Sequence, residues 1–150
     1  MGLKVVATNR KAKHEYFLLD TYEAGIVLKG SEIKSIRARQ ISIAQAYVST
    51  DGQEAWLMNA HIAPYNEASR FNHDPLRSRK LLLHRSEIRK LHEKVRLKGA
   101  TIVPLRVYLK DGMAKVEIAL AKGKKHYDKR AEIAKRDAQR ELDRRYKQKR

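Results

Sequence analysis

The sequence predicts a mainly β domain with inserted helices, an OB-like antiparallel barrel of about six strands that ends in a basic tail. Three observations predict it. Apolar residues alternate in short runs joined by turn signals such as Asp51-Gly52 and Lys110-Asp111-Gly112. Strands and helices do not alternate in the rhythm that βαβ units require. The apolar content then stops at Ala121, which sets a barrel over 1–121 and a tail over 122–150. Short antiparallel strands in so small a chain bury their edges by closing on themselves.

Met1 to Lys13 reads as a short basic leader with Asn9-Arg10-Lys11 turn-like, and His14 to Leu28 as strand, turn and strand. Tyr16, Leu18 and Asp20 alternate with Phe17 and Leu19, and Gly25-Ile26-Val27-Leu28 is apolar and β-branched. Gly30-Ser31 stops the run. Ser31 is the expected N-cap of a short helix to about Arg39, with Ile33 and Ile36 inward and Glu32, Lys34 and Arg37 outward. Alternation returns from Ile43 to Ser49, and Asp51-Gly52 turns it into Glu54 to Met58, with Trp56 and Met58 expected in the core. Asn59 to Lys80 is a long polar connection punctuated by Pro64 and Pro75. After Leu81-Leu82-Leu83, the spacing of Ile88, Leu91 and Val95 predicts a helix from Ser86 to about Leu97, ended by Gly99. Thr101 to Leu109 and Met113 to Ala121 form the clearest hairpin.

Charge narrows the partner. The chain carries +17, of which 1–121 contributes 21 basic and 12 acidic residues and 122–150 contributes 13 and 5. Both parts are basic, which argues for a polyanion, most often nucleic acid. The tail's only large apolar residues are Tyr127, Ile133, Leu142 and Tyr146, although Glu132–Arg136, Glu141–Arg145 and Asp143–Lys147 stand at helical spacing in the favourable order. Such a segment is expected to be disordered alone and helical against a polyanion; a solvated extension is the plainer alternative. An anionic membrane is the rival partner. The longest apolar runs, Leu81 to Leu83 and Ile118 to Ala121, fall far short of the ~20 residues of a span. No secretory signal is recognised, and Val6 breaks the myristoylation pattern. Without cysteine there is no disulfide framework or thiolate metal site, and a cytoplasmic location is expected.

Catalytic patterns fail one by one. His92-Glu93 begins like a zincin helix, but Arg96 stands where the second ligand belongs; His92 is expected to be a packed core residue. Gly123-Lys124-Lys125 lacks both the earlier glycine and the Ser or Thr of a phosphate loop. His61, His73 and Glu67 offer an acid/base pair for RNA cleavage, with polar contacts as the alternative. No catalytic residue, metal or cofactor is expected. Above this background stand cations interleaved with rings and amides: Arg70-Phe71-Asn72-His73 with Arg77, Arg79 and Lys80, and Lys124-Lys125-His126-Tyr127. Cations neutralise phosphate while rings stack on unpaired bases.

Five ordered strings carry a resemblance. Asn9-Arg10-Lys11-Ala12-Lys13-His14-Glu15-Tyr16, Tyr22-Glu23-Ala24-Gly25, Glu32-Ile33-Lys34-Ser35-Ile36-Arg37, Arg79-Lys80-Leu81-Leu82-Leu83 and the run from Ala121 to Arg130 resemble the SsrA-binding (SmpB) family, the bacterial partners of transfer-messenger RNA (tmRNA). The resemblance implies an OB-like barrel that clasps the tRNA-like domain of tmRNA, and a tail that enters the 16S rRNA decoding centre and mRNA channel of a stalled ribosome. It implies elongation factor Tu as an indirect partner through aminoacyl-tmRNA. By the same resemblance Asn9, Glu23 and Lys115 match RNA-binding positions and Leu82 one that supports that surface; plain core packing is the competing account of Leu82, and a turn-side salt bridge that of Glu23. Gly123, Lys124, Lys125, Asp128, Lys129 and Arg130 match the tail motif, and Tyr127 a ring expected to stack on a decoding-centre base. A general structured-RNA-binding protein and a small ribonuclease are the rivals.

Overall fold

The computed structural model describes residues 2–65, 72–123 and Arg140. In chain order the elements are β1 (Leu3–Thr8), α1 (Lys11–Glu15), β2 (Tyr16–Ile26), α2 (Gly30–Arg37), β3 (Ile41–Ser42), β4 (Tyr47–Thr50), β5 (Ala55–Met58), β6 (His61–Ile62), β7 (Arg79–Leu82), α3 (Arg85–Lys98), β8 (Thr101–Lys110) and β9 (Met113–Gly123). Six strands close a ring in the order β8-β4-β5-β7-β2-β9 and back to β8, every neighbour antiparallel. This is the expected OB-like barrel with helices, and closure removes most of the unpaired edges an open sheet would expose. The ring is uneven. β4 meets β8 only at Val48–Ile102, and β1 pairs with β8 from Arg106 to Lys110. β3 and β6 form a separate two-stranded ribbon.

The interior is filled by the alternate residues of the ring, among them Leu57, Leu81, Ile102, Val116, Ile118 and Leu120, all essentially inaccessible. Ile36 of α2 and Ile88 and Leu91 of α3 join the same core. α3 ends as its sequence predicts, with Gly99 at φ 62°; a left-handed cap costs glycine no Cβ clash. Asp111 and Gly112, at φ 52° and 81°, make the tight turn of the β8–β9 hairpin.

Several local expectations are corrected. The leader contains β1, whose signal is faint because Leu3 and Val5 stay exposed while only Val6 is buried. His14 to Leu28 is not two strands but one, β2, preceded by α1. The expected turn is a bulge, with three β2 steps from Leu18 to Thr21 opposing two β9 steps from Ala121 to Ala119. Ala55 and Leu57 fill the core, whereas Trp56 and Met58 are only half-buried, because a strand read one residue out of parity exchanges its faces. α2 starts a residue before Ser31, and Glu32 is its N-terminal clamp, accepting the Lys29 amide at 2.8 Å. Glu32 is also fully buried rather than outward. β9 continues to Lys122 and Gly123, paired with Phe17 and Tyr16, two residues past Ala121.

Candidate nucleic-acid interface

The buried Glu32 carboxylate ties α2 to the segment that leads into β7. Arg77 grips it through Nη2 at 2.6 Å and Nε at 3.3 Å, and Arg79 Nε donates to it at 2.5 Å. Arg79 is itself inaccessible, with its remaining donors on the carbonyls of Ala60 (2.6 Å), Pro75 (3.2 Å) and Asp74 (3.3 Å). Burial pushes the Glu32 pKa up, but hydrogen bonds from Arg77, the Lys29 amide and Arg79 outweigh it and hold it low. Arg79 is therefore not the RNA-facing cation the sequence suggests. A buried guanidinium needs its nitrogens paired and a counter-charge in contact, and here all three nitrogens have a partner and Glu32 supplies the charge.

Held this way, β7 lies beside β2 with Leu82 opposite Gly25. Leu82 is 54% exposed, so the packing account fails for it; Leu81, its neighbour, is the core residue. A Cβ on residue 25 would stand 3.2 Å from the Leu82 Cβ, which gives the close approach of the two strands a physical reason for glycine. Leu82, Gly25, Glu23 and Lys115 line one open groove of about 620 Å³, with Lys80, Gln53 and Arg85 along its sides. Three of the four residues matched to RNA binding or its support thus meet in one place.

The groove's electrostatics are set by Tyr108. Its hydroxyl donates to Glu23 Oε2, the leading reason the Glu23 carboxyl titrates below its ordinary value; Lys110, 3.6 Å from Oε1, and Lys115 add to it. Burial first, and then the Glu23 carboxylate, push the Tyr108 pKa up to about 12. Across neutral pH the pair is thus a charged acceptor held by a protonated phenol. Glu23 is half-exposed, so its other lone pairs can accept from a base edge or a 2′-hydroxyl, and Lys115 lines the same groove as a cation able to pair with phosphate. The turn-side salt bridge to Lys110 is present as well, and is too long and exposed to fix the fold.

Asn9 is not in this groove. It sits against β8, its amide donating to the Leu105 carbonyl at 2.8 Å and its Nδ2 to that of Pro104 at 3.0 Å. The side chain is buried and Oδ1 has no partner among the described residues. It borders a separate depression with Lys11, Glu15, Tyr16, Gln45 and Tyr47. Asn9 is therefore first a latch between the α1 entry and β8, with one acceptor left over. Gly123 closes β9, and Lys124, Lys125, Tyr127, Asp128, Lys129 and Arg130 lie outside the described residues, as do Glu67, Arg70 and Phe71.

Of the candidate acid/base residues, the two histidines are described and are employed differently. His73 is buried, with Nδ1 2.8 Å from Ser31 Oγ and Nε2 2.8 Å from the Ile62 carbonyl oxygen, so both nitrogens hold the fold together. His61 is exposed on β6. His92 is half-buried under the Asp51-Gly52 turn rather than packed in the core. Among the described residues no three His, Asp or Glu side chains are arranged to hold a metal ion, and no helix is long and apolar enough to cross a membrane. Sequence reasoning missed the roles of Tyr108 and Gln53, since neither carries a motif.

A closed, strongly basic barrel with a polar groove, in which Lys80, Arg85 and Lys115 stand among Glu23, Glu54 and Glu87, defines an OB-like domain of nucleic-acid-binding type. Residues 6–148 match the model of the SmpB protein family, and the chain belongs to that family. It is 58% identical over 94% of its length to the SsrA-binding protein of Desulforudis audaxviator, covering 92% of that protein. The SsrA-binding protein of Persephonella marina is 57% identical over 98% of this chain and 97% of its own. A solved chain described as "tmRNA-SmpB: a journey to the center of the bacterial ribosome" superposes with a TM-score of 0.66 at 49% identity, covering 78% of this chain and 82% of that one.

Proposed function

We infer that this protein is a non-catalytic translation factor that binds the tRNA-like domain of tmRNA and brings it to stalled ribosomes for trans-translation. The observation that carries the reading is the meeting of Glu23, Leu82 and Lys115 in one exposed groove of a basic barrel, in a family whose named relatives bind SsrA RNA. Glu23 reads hydrogen-bond donors of the RNA, Lys115 neutralises phosphate, and Leu82 supplies an apolar platform between them. Asn9 offers Oδ1 to a second donor. The tail, from Lys124 through Tyr127, Asp128, Lys129 and Arg130 to Arg150, probes the empty decoding site and mRNA channel. Work of this kind places the protein in the cytoplasm, with elongation factor Tu meeting it through aminoacyl-tmRNA.

Incubation with the tRNA-like domain of tmRNA, a tRNA and an rRNA fragment tests this reading. Preference for the first with all RNAs intact is expected. Equal binding to all three would make the protein a general RNA binder, and cleavage would make it a nuclease. A chain ended after Gly123 should keep its RNA affinity, since 1–121 alone carries +9, and log K should fall by roughly 0.7–0.9 per phosphate contact per log unit of salt. Loss of binding in the shortened chain would move the RNA site into the tail.

Glu23→Gln is expected to weaken that binding by about 1–3 kcal/mol, the usual cost of losing a hydrogen bond to a charged group. It keeps an acceptor for Tyr108, so the melting temperature should stay the same; unchanged affinity in a titration would remove Glu23 from the site. Asn9→Ala is different. It strips a buried carbonyl of its donor and should lower stability as well as binding.

A further inference from the structure

The outer face of α3 carries a cationic stripe that the groove alone does not explain. Arg85, Arg89, His92 and Arg96 fall within about 60° of one another around a helix of 3.6 residues per turn and span about 17 Å. Ile88 and Leu91 are buried on the flanking face, about 100° around the helix. With Glu93, the stripe forms one wall of a second concavity of about 440 Å³, whose other wall is Asp51, Gly52 and Gln53. That wall is set rather than loose. A Cβ on Gly52, already at φ 93°, would stand 3.2 Å from His92 Cδ2, and the Asp51 carboxylate is occupied by the Gln53 and Glu54 amides at 2.9 and 2.8 Å.

None of the three guanidiniums has a carboxylate within 4.0 Å among the described residues, even with Glu93 on the same helix. Lys80, Lys94, Arg106 and Lys110 are paired with Glu54, Asp20, Glu117 and Glu23 in turn, whereas Lys4, Arg37 and Lys90 have no carboxylate in contact among the described residues; what sets the stripe apart is that its three guanidiniums line one concavity. Gln53 and Arg85 line both concavities, so the two run into each other without a break.

We propose that this face is a phosphate track, along which the backbone of an RNA seated in the Glu23 groove continues past Arg85 to Arg96. The proposal rests on the reading of that groove as an RNA site. Guanidiniums with free, forked donors suit phosphate oxygens, and such contacts position a chain without reading its sequence. A concave trough fits a strand better than a flat lipid surface. The single exposed leucine of α3, Leu97, is too little to insert into a membrane.

The test uses the full chain with Arg89→Gln and Arg96→Gln together, and as a control of equal charge Lys4→Gln with Arg37→Gln, both exposed and remote in sequence. Affinity for the tRNA-like domain of tmRNA and for a short blunt RNA duplex is followed against salt. The α3 variant should lower the slope of log K on log salt by about 1.4–1.8, as two lost phosphate contacts require, and the control should not. An unchanged slope, or an equal fall in the control, overturns the track. So does a loss confined to phosphatidylserine vesicles, which would make the face a lipid surface. If the wild type binds duplex and tRNA-like domain equally, the tmRNA reading fails instead, while the duplex arm still decides the track.

Discussion

Glu32→Gln is expected to lower the unfolding free energy by about 3–5 kcal/mol, read as a shift of the urea midpoint, because it leaves the Arg79 guanidinium buried without its counter-charge. A domain this size has about 5–15 kcal/mol in total, so the variant should stand near the edge of folding. The double variant Glu32→Leu with Arg79→Met should cost clearly less than the sum of its singles, since removing both partners spares the orphaned charge. A single variant that costs under about 1 kcal/mol would show the pair to be solvated rather than buried. Because the Glu32 pKa is lowered in the folded state, its contribution is fully present above the ordinary 4.5 and is lost as pH falls through the folded value. Wild-type stability should therefore fall on acidification below that point, with a flatter acid limb in the glutamine variant. Arg79 variants should weaken RNA binding only to the extent that they unfold the barrel.

How far the sequence could be read followed a physical line. The hairpin β8–β9 and helix α3 were legible because their signals are local: Asp111-Gly112 for the turn, and Ile88, Leu91, Val95 and Gly99 for the helix. β1 was not, because it gains its place from β8, about a hundred residues away, and buries only Val6. The parity of β5 failed where tryptophan outweighed the smaller Ala55 in apolar area, although Ala55 is the one the ring encloses. At the site, charge composition pointed to RNA but misassigned the cations. Arg79 and His73 look like binding residues in a basic, aromatic stretch, yet they are the internal braces of that stretch. Glu23, Leu82 and Lys115 were proposed through resemblance, not through composition, because no rule of spacing brings β2, β7 and β9 to one groove. Only the register of the closed sheet does so.

Replacing Asp128, Lys129 and Arg130 with alanine is expected to leave affinity for the tRNA-like domain unchanged and to abolish peptide tagging on ribosomes stalled at the end of a message. Among the described residues the groove is lined from β2, β7, α3 and β9 and the loops between them, and the RNA contacts proposed for it rest on these. Residues 122–150 carry a net +8 with almost no apolar face, and their like charges repel unless phosphate surrounds them. Ordering such a segment costs ~1–2 kcal/mol per residue in backbone entropy, so it should occur only where many anionic contacts are offered together. An rRNA-walled channel emptied of message offers them; a channel still filled by mRNA does not. On that proposal, selection of stalled ribosomes would need no reading of sequence, only vacancy. Proline at Ala134 or Ala138 should impair tagging by a separate route, through the ~3 kcal/mol penalty of proline inside the helix proposed for the bound tail. Normal tagging rates in both variants would leave the tail a solvated extension and would confine the recognition of stalled ribosomes to the barrel.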